Sequence, residues 1–347
     1  MALLMIGIDE AGFGPMLGPL CVGMSAFLIE GWEEGDQKPC LWERLAAGVS
    51  RDAGDKRGRV AFADSKELKL PNKSGVGGTV KRHPLTHLER GVWAAVTNRD
   101  GGSSPESDSA LHELLGAKLR GHVWYEGEAL SLPVSGSAAQ MGIAANLMAG
   151  AMKDAGVRIA ATRCRVMDER EFNGIVRDAG NKGEVCIAAL ADHLRFVLKL
   201  MEKHPGAAVR IACDKLGGRD AYAPVLERLL PGWECVILEQ NGERSNYEMK
   251  RRVKDKDQPT RNALPLGGGF RISFQAEAEQ EHLPVALASM IAKYVRELAM
   301  VRFNRYWSGR MPELKPTAGY TLDARRWLAD ASKVVTKEEK AAMVRRA

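Results

Sequence analysis

The chain has 347 residues, of which 45% are hydrophobic and 27% charged, which excludes a disordered polypeptide and leaves room for one large domain or two ordinary ones. A formal net charge of +6 permits a polyanionic partner without demanding one. No stretch approaches a membrane span, and the first apolar run is too short and lacks the basic flank of a signal peptide.

The elements follow in chain order. Residues 3–8 and 20–28 predict two strands joined by a Gly/Pro turn, a simple meander. A short helix is expected around Leu41–Val49. Residues 71–135 are rich in Gly, Ser, Pro and charge and read as an insertion, partly irregular, with one or two small helices. Residues 137–155 predict a serine-capped helix. Val157–Met167 is strand-like, and Glu184–Lys203 has helical periodicity. Ala207–Cys213 is a β-compatible apolar run that stops at Asp214. A helix at 219–230 and a strand at Cys235–Leu238 come next. Tyr247–Val253 and Phe270–Phe274 predict strands flanking a basic, Gly-rich loop. A long helix spans 282–307, and helices near 322–330 and 336–346 close the chain. This order indicates an α/β fold with a mixed sheet. Six scattered cysteines, none in a C-x-x-C pair, argue against a zinc ribbon and for a reducing compartment, so a cytoplasmic location is expected.

Carboxylates recur at the ends or edges of these elements. Asp9 and Glu10 end the first strand and run straight into Ala-Gly12-Phe13-Gly14-Pro15. Adjacent acids at a strand end are costly unless a cation or a proton answers them, and glycines beside them let backbone N–H groups approach a ligand. Asp214 ends its apolar run; a helix cap or turn former is the ordinary alternative. Glu297 falls beside the apolar face of Leu287, Ile291, Tyr294, Leu298 and Val301, where it either lines a cleft or pairs with Lys293 one turn earlier. Hard oxygen donors of this kind suit magnesium or manganese better than zinc. Glu277, Glu279 and Glu281 precede the long helix, as ordinary dipole partners, with Glu279 a further candidate for a metal shell. Lys250-Arg251-Arg252-Val-Lys254-Asp-Lys256 is either a phosphate-backbone contact or a solvated loop.

Five blocks carry a family resemblance. Gly7-Ile-Asp9-Glu10-Ala-Gly12-Phe13-Gly14-Pro15-x-x-Gly18-Pro19 resembles the opening motif of ribonuclease HII, and Asp64-Ser65-Lys66-Glu67-Leu68 the second motif of that family. Asp214 after its strand resembles the third. Leu283 to Glu297 resembles the helix of the form A-A-S-I-x-A-K-x-x-R-D, and Gly319-Tyr320-Thr321 the late G-Y-x-T element. The matching blocks cover about a third of the chain. The resemblance implies an RNase H-like α/β fold, a central mixed sheet with helices on both faces, occupying residues 1–330 with 331–347 as a helical tail. It implies Asp9, Glu10, Asp214 and Glu297 as catalytic, metal-binding carboxylates for two divalent ions, Mg²⁺ or Mn²⁺, about 3.5–4 Å apart. The implied substrate is an RNA–DNA hybrid or ribonucleotide-containing duplex DNA, cut to leave a 5′-phosphate and a 3′-hydroxyl. Gly12, Phe13 and Gly14 would contact the 2′-OH, Lys66 a phosphate, and Tyr320 the sugar at the junction.

Two departures matter. Phe13 stands where the family has Arg, so a guanidinium near the phosphates is lost. Glu297 stands where the family has Asp and is one methylene longer. These departures and the extra length keep two other readings in view: a non-catalytic hybrid- or junction-binding protein on the same fold, and a related nuclease with a different nucleic-acid substrate.

Overall fold

The computed structural model describes residues 1–70, 82–216, 218–252 and 269–346. Strands β1 (Ala2–Ala11) and β2 (Leu20–Glu30) form the expected antiparallel pair. Helix α1 is only Leu41–Arg44, and the residues expected to continue it turn into β3 (Val49–Ser50), which pairs with β4 (Val60–Ala61) in a small separate sheet. Asp64 accepts a hydrogen bond from the Lys66 N–H at 2.9 Å and caps α2 (Ser65–Leu68).

Within the supposed insertion, residues 71–81 and the Gly-rich start they contain lie outside the described residues. The remainder is more ordered than its composition suggests. Helix α3 (Thr86–Asn98) buries Leu88, Val92, Trp93 and Val96 and packs on the helices that cover the sheet, and α4 (Asp108–Leu115) follows. Ser137 caps α5 (Ala138–Asp154) through a reciprocal capping box with Gln140. Then come β5 (Val157–Met167), α6 (Glu169–Ala179), α7 (Gly183–Lys203), β6 (Ala208–Asp214), α8 (Ala223–Leu229), β7 (Trp233–Gln240) and β8 (Arg244–Arg251). The loop after β8, with Lys254 and Lys256 of the basic run, lies outside the described residues. Strand β9 (Phe270–Gln275) precedes α9 (Ala278–Glu281), α10 (Leu283–Arg310), α11 (Thr321–Asp330) and α12 (Lys337–Met343).

The seven-stranded sheet runs β5-β2-β1-β6-β9-β8-β7. β2 is antiparallel to β1 and β5, whereas β1, β6 and β9 are parallel. Side chains alternate across the pleat: Leu3 and Met5 join the core with α3, α5 and α10, while Leu4, Ile6 and Ile8 join the core with α6, α7 and α8. Burial on both faces explains why β1 reads as a continuous apolar run rather than an alternating one. This mixed sheet with helices on both faces is the expected α/β architecture. A third cluster, with Phe303, Trp307, Trp327 and Met343, joins the end of α10 to α11 and α12. No helix among the described residues is long and apolar enough to cross a membrane.

Helix α10 lies directly on the middle of the sheet. A Cβ added at Gly7 would sit 2.0 Å from the Pro284 carbonyl carbon, and one at Gly23 would sit 2.0 Å from the Ala288 oxygen. Two glycines in adjacent strands therefore set how closely the helix approaches. The chain end is tied back as well: Arg345 donates to the Pro15 carbonyl at 2.9 Å, near the buried pair Glu169–Tyr125, whose hydrogen bond is 2.6 Å long.

Gly23→Ala should force α10 off the sheet and lower unfolding stability by about 2 kcal/mol or more, read by urea denaturation. Burial raises the Glu169 carboxyl to about 7, partly offset by the Tyr125 hydrogen bond. Its folded form therefore holds a proton that the unfolded form releases near the ordinary value of 4.5. The resulting stability is complete below that value and is lost as pH rises through about 7. Glu169→Gln should flatten the fall of melting temperature with pH across that window.

Candidate active site

The parallel strands β1, β6 and β9 end at one edge of the sheet, the carboxyl edge where ligands gather in open α/β sheets. Ile8 pairs with Cys213, so Asp9 and Asp214 stand next to each other on neighbouring strands, about 4.8 Å between backbones. Asp214 pairs with Gln275 at the end of β9, and the chain then turns through Glu277 into α9, which carries Glu279. Three strand ends thus bring Asp9, Glu10, Asp214 and Glu279 to one corner.

The electrostatics record that convergence. Asp9, 6% exposed, is pushed well above the usual carboxylate range, first by burial and then by Glu10, Asp214 and Glu279; the nearby Ser289 hydroxyl, which donates to Ser65 Oγ at 2.9 Å, works the other way. Glu10 is raised to about 8 by burial and by Asp214, with Lys66 opposing. Burial also lifts Asp214, against amide hydrogen bonds from Ala278, Lys215 and Glu277. Glu279 is raised by burial and by Asp214 and Asp64. The Lys66 ammonium faces these acids from α2, and Asp64, Glu279, Asp9 and Asp214 all hold its proton on.

The backbone around Asp214 is specialised. Glu277 has φ 55°, the one non-glycine residue with positive φ among the described residues. That conformation costs of order 1 kcal/mol. It accompanies the turn that aims the amides of Glu277 and Ala278 at the Asp214 carboxylate.

Glu297 is placed differently. It lies between Lys69 Nζ at 3.0 Å and Lys293 Nζ at 3.1 Å, and these cations pull its carboxyl below the usual range despite burial. It is not among the charges that act most strongly on Asp9, Glu10 or Asp214. Of the four expected carboxylates, three stand at this corner together with Glu279, while Glu297 is held between its two lysines. The physical reason is local: two lysines already neutralise Glu297, whereas Glu279 sits on the turn that β9 delivers to the corner.

The loop that follows Glu10 is held from below. The fully buried Arg296 guanidinium donates to the carbonyls of Leu17 and Ala318, each at 3.1 Å. Gly12 (φ 94°) lies against it, and a Cβ there would meet Arg296 Nε at 2.5 Å. Gly319 accepts from the Met16 and Leu17 amides and so ties the opening motif to the late one. Gly14 is exposed, with open space where a Cβ would stand. The Phe13 ring carries Lys182 Nζ 4.9 Å from its centroid, which places a cation over it. Tyr320 is 47% exposed, beside Lys293 and Arg296.

The donor set suits a hard divalent cation. Glu10 Oε2, Glu279 Oε2 and Glu297 Oε1 are buried oxygens without a hydrogen-bond partner, an expensive condition that a cation would relieve; at Glu297 Oε1 the Lys293 ammonium already stands 3.1 Å away. As the side chains stand, no group of three or more His, Cys, Asp or Glu among the described residues converges tightly enough to enclose a metal. The acids ring the corner without closing on one point. Donor type and unsatisfied oxygens therefore fit, and closure requires side-chain movement.

Sequence reasoning gave Glu279 only a minor place and assigned no role to Ser289, Arg296 or Lys69. The available signal for Glu279 was its position just past the end of an apolar strand, the same context as Asp9 and Asp214.

No family model matches the chain, and no curated protein sequence matches it. By structure, it is similar to Bst-RNase HIII in complex with Mn²⁺, at 16% identity and a TM-score of 0.40, with 99% of this chain and 66% of that one covered. It is also similar to RNase HII of Archaeoglobus fulgidus, solved in a complex with PCNA, at 14% identity and a TM-score of 0.40, covering 99% and 94%. Ribonuclease H2 of Pyrococcus horikoshii OT3 is 14% identical with a TM-score of 0.39, covering 95% and 88%. Likenesses this distant bear no weight for the site, which stands on its own geometry.

Proposed function

We propose that this chain is a divalent-metal-dependent endonuclease of the type 2 ribonuclease H kind, cutting the RNA strand of an RNA–DNA hybrid or the position of a ribonucleotide embedded in duplex DNA. The observation that carries the reading is the gathering of four mutually repelling carboxylates, the buried Asp9 and Glu279 and the half-buried Glu10 and Asp214, at the carboxyl edge of three parallel strands. Acids so placed raise one another's proton affinity, an arrangement suited to binding multivalent cations.

These four residues would hold Mg²⁺ or Mn²⁺. Bound there, a pair of such ions would activate the attacking water and stabilise the leaving 3′-oxygen, giving a 5′-phosphate and a 3′-hydroxyl. The protein's own groups do the positioning. Ser289 steadies Asp9, and the amides of Glu277 and Ala278 steady Asp214. Lys66, exposed beside the acids, is proposed to meet a backbone phosphate. The backbone of Gly12-Phe13-Gly14, kept open by Gly14 and braced through Gly12 on Arg296, is proposed to read the 2′-OH that separates RNA from DNA. Lys182 on the Phe13 ring supplies the positive charge that Phe13 lacks. Tyr320 offers an exposed ring for stacking on the sugar. Glu297 is proposed to orient Lys69 and Lys293 rather than to bind metal.

Cleavage of a DNA duplex carrying one ribonucleotide, beside a long hybrid and matched all-DNA and all-RNA duplexes, tests the reading. Asp9→Asn, Asp214→Asn and Glu279→Gln should each lose at least about a hundredfold in rate, more than outer groups typically cost. Glu297→Gln should instead cost about 3 kcal/mol of stability by stranding two lysines. Full turnover by Asp9→Asn would refute the assignment, and binding of the duplexes without cut products at high enzyme would favour the binding-protein reading.

Asp9→Asn should also raise the melting temperature in chelator, because one crowding charge is gone. The same substitution should shrink the thermal stabilisation that Mg²⁺ or Mn²⁺ gives the parent protein. Thermal melts with and without metal measure both.

A further inference from the structure

A cavity of about 460 Å³ opens on the face of the sheet opposite Asp9, between edge strand β5, helix α7 and the end of α4. Its walls carry five cations, Lys118, Arg163, Arg165, Arg195 and Lys199, and one acid, Asp192. Asp192 is shared, pairing with Arg165 at 2.7 Å and also with Arg195. Arg165 has a second partner in Glu171. Five positive charges against two negative ones leave three in excess. Among the described residues, Lys118, Arg163 and Lys199 form no ion pair.

The cavity is built rather than merely charged. The half-buried Arg163 guanidinium lies 4.5 Å over the Phe196 ring, which fixes its plane. Arg165 is clamped between two carboxylates, so its fork is oriented too. Rigid guanidinia with unused donors match phosphate oxygens better than solvated lysines do.

Sheet register locates the cavity relative to the acids. Asp9 pairs with Gly23, and Gly23 pairs with Cys164. Arg163 and Arg165 flank Cys164 and so stand two strands from Asp9, about 10 Å away in the plane of the sheet. Helix α7 starts beside Lys182, the cation on Phe13, and carries Arg195 and Lys199 into the cavity wall, roughly 20 Å further along at 1.5 Å per residue. Cations therefore stand near both ends of α7, with Glu184 and Asp192 and no lysine or arginine between Lys182 and Arg195.

We propose that this cavity is a second docking point for nucleic acid, holding backbone phosphates of the bound duplex away from the cut. The proposal rests on the nuclease reading for the choice of polyanion, while its own observation is the excess of fixed cations. Arg195 and Lys199 stand on the outer side of α7, and Lys118 comes from a different part of the chain. The double variant Arg195→Glu/Lys199→Glu and the single variant Lys118→Glu therefore test the same cavity from two sides.

The measurement is fluorescence anisotropy of a labelled RNA–DNA hybrid of about 24 base pairs, in Ca²⁺, at several salt concentrations from about 50 to 200 mM. The double variant should bind at least about tenfold more weakly at the low-salt end, and its slope of log affinity against log salt should fall by about two, near 0.9 for each phosphate no longer neutralised. Lys118→Glu should lower the slope by about one. Unchanged slopes in folded variants, checked by circular dichroism, would overturn the proposal even if the parent cuts hybrid. A parent that binds but never cuts, with slopes that fall in the variants, would sink the nuclease reading and leave the docking site standing. Variants that bind polyglutamate more weakly than the parent, with hybrid binding unaltered, would also overturn it.

Discussion

The close approach of one helix to two strands is the constraint on which the rest depends. Gly7 and Gly23 leave no room for a side chain between the sheet and the backbone of α10. With the helix seated there, Ser289 reaches Asp9, Lys293 reaches Tyr320, and Arg296 reaches the loop after Glu10. A helix lifted by even one methyl group would lose this register with the strand ends. The same contact buries Asp9, and burial is the largest cause of its elevated proton affinity. Packing and electrostatics at the corner are thus one fact seen from two sides.

The distribution of cations follows from that arrangement. Lys66 stands in front of the acids without forming a close ion pair with them, whereas Glu297 is enclosed by Lys69 and Lys293. A carboxylate already satisfied by two ammonium groups has little to gain from a metal; carboxylates left with bare oxygens have much to gain. The two lysine ammonium groups, rather than the count of bare oxygens, separate Glu297 from Glu279.

Much of the architecture was legible because local signals agreed with the tertiary outcome. Strands β1, β2, β5, β6 and β9 lie where apolar runs predict them, and the Ser137–Gln140 box marks the start of α5. The one or two small helices expected within 71–135 are α3 and α4, whose positions the Gly, Ser and Pro of their flanks obscure. Helix α6 was missed because charged residues outnumber Phe172 and Val176 on its surface. For Glu297 the sequence leaves a cleft position and a pair with Lys293 both open, and the structure has the pair. Periodicity assumes one buried face, but α10 is buried all round from Leu283 to Arg296, while Val301, counted into the apolar face, is exposed. In such a helix the angle from an apolar stripe says little about what a side chain meets.

The loop that borders the acids is braced by residues synthesised long after it. Arg296 holds the Leu17 carbonyl across 279 positions, and Arg345 holds the Pro15 carbonyl across 330. Contacts of that separation form late and carry a heavy loop-closure cost. During translation the acidic corner must therefore emerge with its glycine loop unsupported, and it acquires its working shape only when the far end of the polypeptide folds back upon it.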